Sequence, residues 1–254
     1  RSIVLIQNLI SISDKENLSI KNKIISLIDT LYTEIPNKII SDGYAVKDSI
    51  NKKKKVVVIL NGFDSNYLSY SIVQSTHYNI LFMGRISIYQ KGLDRLLSTF
   101  KQIKTPKLRL FIAGSGGDLE EFRERSKRLA NRIKFLGRVD GKNKINAILS
   151  SDMLIITSRY ESSPTTILEV NSLGKPVFAL NAWGVDKSII NGVNGFLFNS
   201  EKELAKGIDN FYSLKYNERK KLSNSCRNHA KKFSWEKCAK ETMKVYKEVL
   251  EKSF

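Results

Sequence analysis

The sequence predicts an α/β protein built on a parallel sheet with helices on both faces, and three observations carry that prediction. Short, continuously apolar runs such as Met153-Leu154-Ile155-Ile156 read as strands buried on both faces. From about residue 79 these runs alternate regularly with helix-like segments. The connections between them are short, and such alternation predicts a parallel sheet covered on both faces.

The strands are expected at Asn79–Gly84, Lys107–Ala113, Ile133–Leu136, Met153–Ile156, Pro176–Leu180 and Phe196–Phe198. Helices are expected near Gly92–Lys104, Asp118–Ala130, Lys142–Ser150 and Thr165–Leu173. Together they make one complete Rossmann-like domain, whose ligand site falls at the carboxyl ends of the strands. Before residue 79 the pattern is partial. Strands at Ile3–Ile6, Lys38–Ser41 and Val56–Leu60 flank helices over Ser19–Thr33 and Tyr44–Asn51. So few strands cannot bury a sheet, and the segment reads as the last portion of a second Rossmann-like domain. The first residue is Arg1 rather than Met, which fits a chain whose beginning lies upstream. After Glu201 the pattern is wholly helical, and Ser234 caps a final helix with Trp235, Ala239, Met243 and Tyr246 as its packing stripe. The expected division is therefore residues 1–62 as the remnant and linker, 63–233 as the complete domain, and 234–254 as a helix returning toward the first part.

Composition narrows the chemistry. The 254 residues are 41% hydrophobic and 27% charged, ordinary for a globular protein, and no apolar run approaches the ~20 residues that span a bilayer. The formal net charge is +18, with a run at Lys52–Lys55, which favours anionic partners. There is no zinc-finger spacing, no aromatic-interleaved basic motif and no helix-turn-helix signal, so nucleic acid is not the expected partner. Cys226 and Cys238 form no C-x-x-C motif and read as reduced thiols. His77 and His229 are the only histidines and no Asp-x-Asp motif is present, so no metal site is expected.

The most informative stretch is Glu161-Ser162-Ser163-Pro164-Thr165-Thr166-Ile167-Leu168-Glu169. Ser163 suits an N-cap and Pro164 the first helical position, where a missing N–H costs nothing. The amides of Thr165 and Thr166 then point out of a helix end that attracts phosphate. Glu161 precedes that anion site, and Glu169 lies roughly 7 Å along the helix at ~1.5 Å per residue. An anion hole between two carboxylates fits a ligand with phosphate in its middle and hydroxyl-rich groups on either side, such as a nucleotide sugar. Gly84-Arg85 and Lys91-Gly92, around the first strand of the complete domain, supply cations suited to a diphosphate. Gly114-Ser115-Gly116-Gly117 closes the second strand as a tight turn that allows close ligand approach, without the full dinucleotide or Walker pattern. Arg138, after Phe135-Leu136-Gly137, is placed to edge a nucleobase.

Taken in order, these pieces resemble the retaining glycosyltransferases of the GT-B fold, group 4 branch. The likeness runs from about Lys38 to Tyr246 through Val58-Ile59-Leu60-Asn61-Gly62-Phe63-Asp64, Met83-Gly84-Arg85, Lys91-Gly92-Leu93-Asp94, Ile112–Gly116, Phe135–Gly137, the Glu161…Glu169 pair and Gly174-Lys175-Pro176-Val177. The resemblance implies that Arg85 and Lys91 hold the donor diphosphate and neutralise the leaving group, and that Glu161 contacts the transferred sugar. It implies that Glu169 accepts hydrogen bonds from the ribose hydroxyls, while Gly84, Gly114, Gly116, Arg138, Ser163, Pro164, Thr165 and Thr166 complete the donor site. It implies no cofactor and no metal, a nucleoside diphosphate sugar as substrate, and a glycan or lipid-linked acceptor. The basic charge adds an anionic membrane surface as a partner, at the cytoplasmic face of the plasma membrane. Two departures stand out: Gln7-Asn8 where the family often has a histidine, and Ser188 where a glutamate is usual. With the acceptor-side glycine loop expected upstream of Arg1, the alternative reading is a nucleotide-sugar binding module or half of a split transferase.

Overall fold

A computed structural model describes residues 3–6, 36–49, 55–72 and 78–251. The expectations for Gln7-Asn8, the Ser19–Thr33 helix, His77 and residues 50–54 lie outside the described residues. The chain divides into two compact units, one of residues 1–63 with 233–254, the other of residues 64–232.

In the first unit, β1 (Ile3–Ile6), β2 (Lys38–Ser41) and β3 (Val56–Val58) form a parallel sheet in the order β1-β2-β3. A short helix, α1 (Tyr44–Ser49), links β2 toward β3. The larger unit holds β4 (Asn79–Met83), β5 (Arg109–Ala113), β6 (Ile133–Gly137), β7 (Met153–Ile156), β8 (Val177–Leu180) and β9 (Gly195–Phe198). All of its pairings are parallel, in the order β6-β5-β4-β7-β8-β9. The chain therefore winds outward from β4 to β6, then crosses back to β7 and winds the other way to β9. β4 and β7 are neighbours at the reversal, and the loops after them diverge to leave a crevice. Arg85 and Lys91 follow β4; Glu161 and Glu169 follow β7.

Helices α2 (Leu93–Gln102), α3 (Leu119–Ser126), α4 (Gly141–Leu149), α5 (Thr165–Ser172), α6 (Glu201–Ser213) and α7 (Tyr216–Ala230) accompany this sheet. Leu93, Leu96, Leu97 and Phe100 make the apolar stripe of α2 and share one core with Phe82, Ile112, Phe178 and Leu204. Phe178, on β8, meets the rings of Phe196, Phe198 and Phe211 at centroid distances of 5.3–5.9 Å. The core thus lies under the strands that carry the crevice loops and fixes them at their roots. Among the described residues no helix is long and apolar enough to cross a membrane. Cys226 and Cys238 are free thiols, as their spacing predicts.

Several element bounds differ from the sequence reading: β3 ends at Val58 rather than Leu60, and α3 ends at Ser126, followed by a 3-10 turn over Lys127–Leu129. β5 begins at Arg109 rather than Lys107, because Lys107 takes a φ of 60° and turns the chain. The final helix, α8 (Trp235–Glu251), is capped by Ser234, whose Oγ accepts from the Lys237 amide at 3.2 Å. Its packed face, however, is Cys238, Val245 and Val249, with Val245 and Cys238 against Ile40, Val57 and Ile59. The Trp235, Ala239, Met243 and Tyr246 stripe is exposed. Val245 and Cys238 thus lie over the small sheet, and Trp235, Met243 and Tyr246 sit on the adjoining arc of the helix.

Candidate functional site

Backbone contacts between loops set the crevice floor. The Gly84 amide donates to the Ala113 carbonyl at 3.0 Å, the Ile86 amide to Ser115 at 2.9 Å, and the Gly114 amide to Gly137 at 2.8 Å. The loops after β4, β5 and β6 are therefore stitched side by side. Gly114 has a φ of 154°, and a Cβ there would fall 1.8 Å from the Gly84 carbonyl oxygen. A Cβ on Gly116 would fall 2.1 Å from the Ile86 carbonyl oxygen. Gly114 and Gly116 thus admit a neighbouring backbone. That is the close approach their spacing implied, but made by the protein's own chain.

Above this floor is a cavity of about 320 Å³. Gly84, Arg85, Gly114, Arg138, Thr166 and Glu169 all line it, with Lys144. Gly116, Ser163, Pro164 and Thr165 do not. Arg85 is exposed and has no hydrogen-bond or ion-pair partner among the described residues, so its guanidinium is available to an anion. Arg138 is also exposed, its side chain 79% accessible and paired with Asp140 at 3.1 Å.

Lys91 stands beside the cavity, its Cε 3.7 Å from where a Gly84 Cβ would be. Its turn is fastened to the end of β7. Gly92 adopts a φ of 62°, a Cβ there would come within 2.0 Å of the Thr157 carbonyl oxygen, and Thr157 Oγ1 donates to the Gly92 carbonyl at 2.9 Å. The next residues of the β7 loop bring in Glu161, whose Oε1 accepts from Lys91 Nζ at 2.5 Å and from Ser158 Oγ at 2.6 Å. The Glu161 amide donates to the Trp183 carbonyl at 2.9 Å, and Gly184 is packed so tightly against the Glu161 carbonyl that no side chain fits there. Arg159 braces the same loop with a bidentate pair to Asp94 at 2.7 and 3.0 Å. Its hydrogen bonds and charge hold the Asp94 carboxyl below the usual range. The pair joining Lys91 to Glu161 therefore spans the β4–β7 reversal.

The start of α5 differs from expectation. The helix begins at Thr165, Pro164 occupies the N-cap without side-chain capping, and Ser163 caps nothing. Pro164 is extended (ψ 98°), so helical bonding starts from its carbonyl, which accepts the Ile167 amide at 3.0 Å. The shift is one residue, and the anion-facing end survives it. The Thr165 and Thr166 amides find no partner among the described residues, and such a helix end favours negative charge.

Glu169, one turn inside α5, accepts Lys144 Nζ on Oε1 at 2.8 Å. The Lys144 ammonium also lies close enough to the phenol of Tyr67, a buried residue in the 3-10 turn Ser65–Ser69, to interact with it electrostatically. Burial pulls the Lys144 ammonium down, but its bond to Glu169, that carboxylate's charge and Tyr67 leave it above its ordinary pKa. Burial and the Glu169 charge raise the Tyr67 phenol. The site thus pairs a cation with a neutral phenol. Sequence reasoning missed Lys144 and Tyr67; the one available signal was the position of Lys144 on the helix that follows β6. Ser188, the other departure, donates to the Gly184 carbonyl at 3.1 Å. Among the described residues no cluster of three or more His, Cys, Asp or Glu side chains could hold a metal.

The sequence profile of the family described as "Glycosyl transferases group 1" matches residues 71–233, the larger unit almost entire. The chain belongs to this family. Among curated relatives of this glycosyltransferase group, the "Uncharacterized glycosyltransferase MJ1607" of Methanocaldococcus jannaschii is 30% identical over 255 residues, which cover 91% of this chain and 65% of the relative. The chain thus spans under two thirds of that relative's length. An "Uncharacterized 41.2 kDa protein in cps region" of Klebsiella pneumoniae is 30% identical over 244 residues, covering 89% of this chain and 66% of the relative. Among solved structures, Anabaena Alr3699/HepE in complex with UDP-glucose superposes with a TM-score of 0.80 at 20% identity, covering 97% of this chain and 72% of that one. At that identity the likeness concerns the fold, which is α/β of GT-B type.

Proposed function

We propose that this chain is the donor-binding part of a retaining glycosyltransferase that moves a hexose from a nucleoside diphosphate sugar to a hydroxyl acceptor. The observation that carries the reading is the cavity at the β4–β7 reversal, where Gly84, Arg85, Gly114, Thr166 and Glu169 converge in a chain of this family. Arg85 and the amides at the start of α5 would hold the diphosphate, Glu169 the ribose, Glu161 the sugar, and Arg138 the edge of the base. Gly116, Ser163 and Pro164 would act by shaping the two loops, since they do not reach the cavity.

As the bond from the sugar's anomeric carbon to the phosphate oxygen breaks, negative charge grows on the β-phosphate. Arg85 and Lys91 would stabilise that charge more than they stabilise the ground state, and this difference accelerates the reaction. The acceptor hydroxyl attacks from the same face and the departing phosphate takes its proton. Two cations and a helix end supply the positive charge that a divalent ion would otherwise bring, so the reaction is read as metal-independent. Synthesis of a cell-surface polysaccharide or glycolipid, with an acceptor at the inner face of the membrane, is supported by the +18 charge and by the relative from a cps region.

A thermal-shift panel of UDP, GDP and ADP with their common hexose conjugates tests the reading. One nucleoside diphosphate and at least one of its sugars should raise the melting midpoint. No shift from any of them at millimolar concentration would contradict it.

A further inference from the structure

Resting on the donor-site reading above, the geometry points to Lys144 as a second half of the ribose site: Glu169 takes one hydroxyl of the ribose cis-diol on its free oxygen while Lys144 donates to the other. Lys144 lines the cavity next to Glu169 and Thr166. Its ammonium has three N–H donors. One goes to Glu169 Oε1 at 2.8 Å, and Lys144 Nζ makes no other hydrogen bond among the described residues. The other two remain for a ligand. Glu169 in turn has Oε2 without a partner among the described residues.

An acceptor and a donor held side by side on one ion pair match a vicinal diol, in which one hydroxyl gives its proton and the other offers a lone pair. An ion pair within one exposed helix lacks this character. Arg125 and Glu121, for example, are each at least half exposed on one helix, whereas Lys144 and Glu169 are 24% and 18% exposed and come from two helices. Tyr67, buried beside the ammonium, serves as a positioning residue. The pair is also neutral overall, so Glu169 brings no net repulsion toward the nearby diphosphate. Without Lys144 the same carboxylate would oppose it.

Calorimetric titration tests this with whichever of UDP, GDP and ADP binds most tightly, and with its 2′-deoxy and 3′-deoxy analogues. The wild-type chain should prefer the ribonucleotide over at least one analogue by about tenfold, the range of a hydrogen bond to a charged group. Lys144→Met should bind the ribonucleotide about tenfold more weakly and lose that preference, while Lys144→Arg should keep most of both. In a double-mutant cycle, Lys144→Met and Glu169→Gln should be non-additive. Equal weakening toward all three ligands, with the preference intact, would overturn the inference and leave Lys144 a structural ion pair; so would unchanged binding. If Lys144→Met fails to fold, loss of ribose preference in Tyr67→Phe decides the matter, and its retention overturns the proposal. A wild-type chain that binds no nucleoside diphosphate refutes the donor-site reading itself, a result distinct from binding without ribose selectivity.

Discussion

Glu161 and Glu169 stand close in sequence and each accepts a lysine on Oε1, Lys91 at 2.5 Å for the first and Lys144 at 2.8 Å for the second. The surroundings differ. Glu161 Oε1 is shared between Lys91 and Ser158, and the pair bridges the two loops at the sheet reversal, with Lys91 against Gly84. The Lys144–Glu169 pair joins two helices and is backed by a buried phenol. Lys91 and Glu161 stand beside the cavity rather than in its lining, so in the proposed reaction the first lysine turns from its pair when donor arrives. The second pair can persist, because both of its partners already line the cavity. One ion pair is a latch and the other a platform.

The largest effect that sharpens this contrast is expected at the latch. Lys91→Ala should lower kcat by roughly 10²–10³, as for loss of one donor to transition-state charge, with KM for the donor changed much less. Steady-state hydrolysis or transfer of the donor found by thermal shift measures both; a raised KM at unchanged kcat would make Lys91 a binding group only. Next comes the platform. Glu169→Ala should weaken nucleoside diphosphate binding about tenfold in calorimetry while the far-ultraviolet circular dichroism stays native. Unchanged affinity would remove Glu169 from the site.

A third carboxylate shows what the absence of a lysine does. Asp42 is buried at the end of β2, and burial pushes its pKa up to about 6, opposed only in part by Asn61 at 3.4 Å. Its folded pKa lies above the unfolded value of 3.8, so its contribution to stability is full below pH 3.8 and fades as pH rises through about 6. Asp42→Asn should remove that loss and stabilise the chain at pH 7–8 by on the order of 1 kcal/mol after screening. Chemical denaturation between pH 4 and 8 reads it; parallel curves for the two proteins would contradict the burial argument. The smallest effect belongs to Arg138, whose solvated pair with Asp140 leaves little to lose. Arg138→Ala should change nucleotide affinity by less than about threefold, and a larger loss in calorimetry would promote it to a principal base contact.

The sheet was legible where the sequence is least ambiguous. Met153–Ile156 is an unbroken apolar run flanked by Asp152 and Thr157, and the strand has those bounds. Edges set by one backbone angle were not legible: Lys107 is an ordinary lysine until its φ of 60° turns the chain. The α5 start slipped because Ser163-Pro164-Thr165 supports two registers one residue apart, and only the ψ of Pro164 chooses between them. On α8 two apolar arcs lie side by side, and the pattern does not say which meets the sheet. Within the site, the ordered motifs around Arg85 and Glu169 pointed to one crevice because strand ends gather them. Tyr67 carried no signal and Lys144 only its place on the helix after β6, since its meaning comes from meeting Glu169 across 25 residues of chain.

The most direct test is a crystal structure of the chain soaked with the nucleoside diphosphate that stabilises it most. The diphosphate should lie between Arg85 and the Thr165–Thr166 amides, with Lys91 turned from Glu161 toward it and the ribose diol on Glu169 and Lys144. A nucleotide bound on another face, with the Lys91–Glu161 pair closed and the cavity empty, would contradict the account.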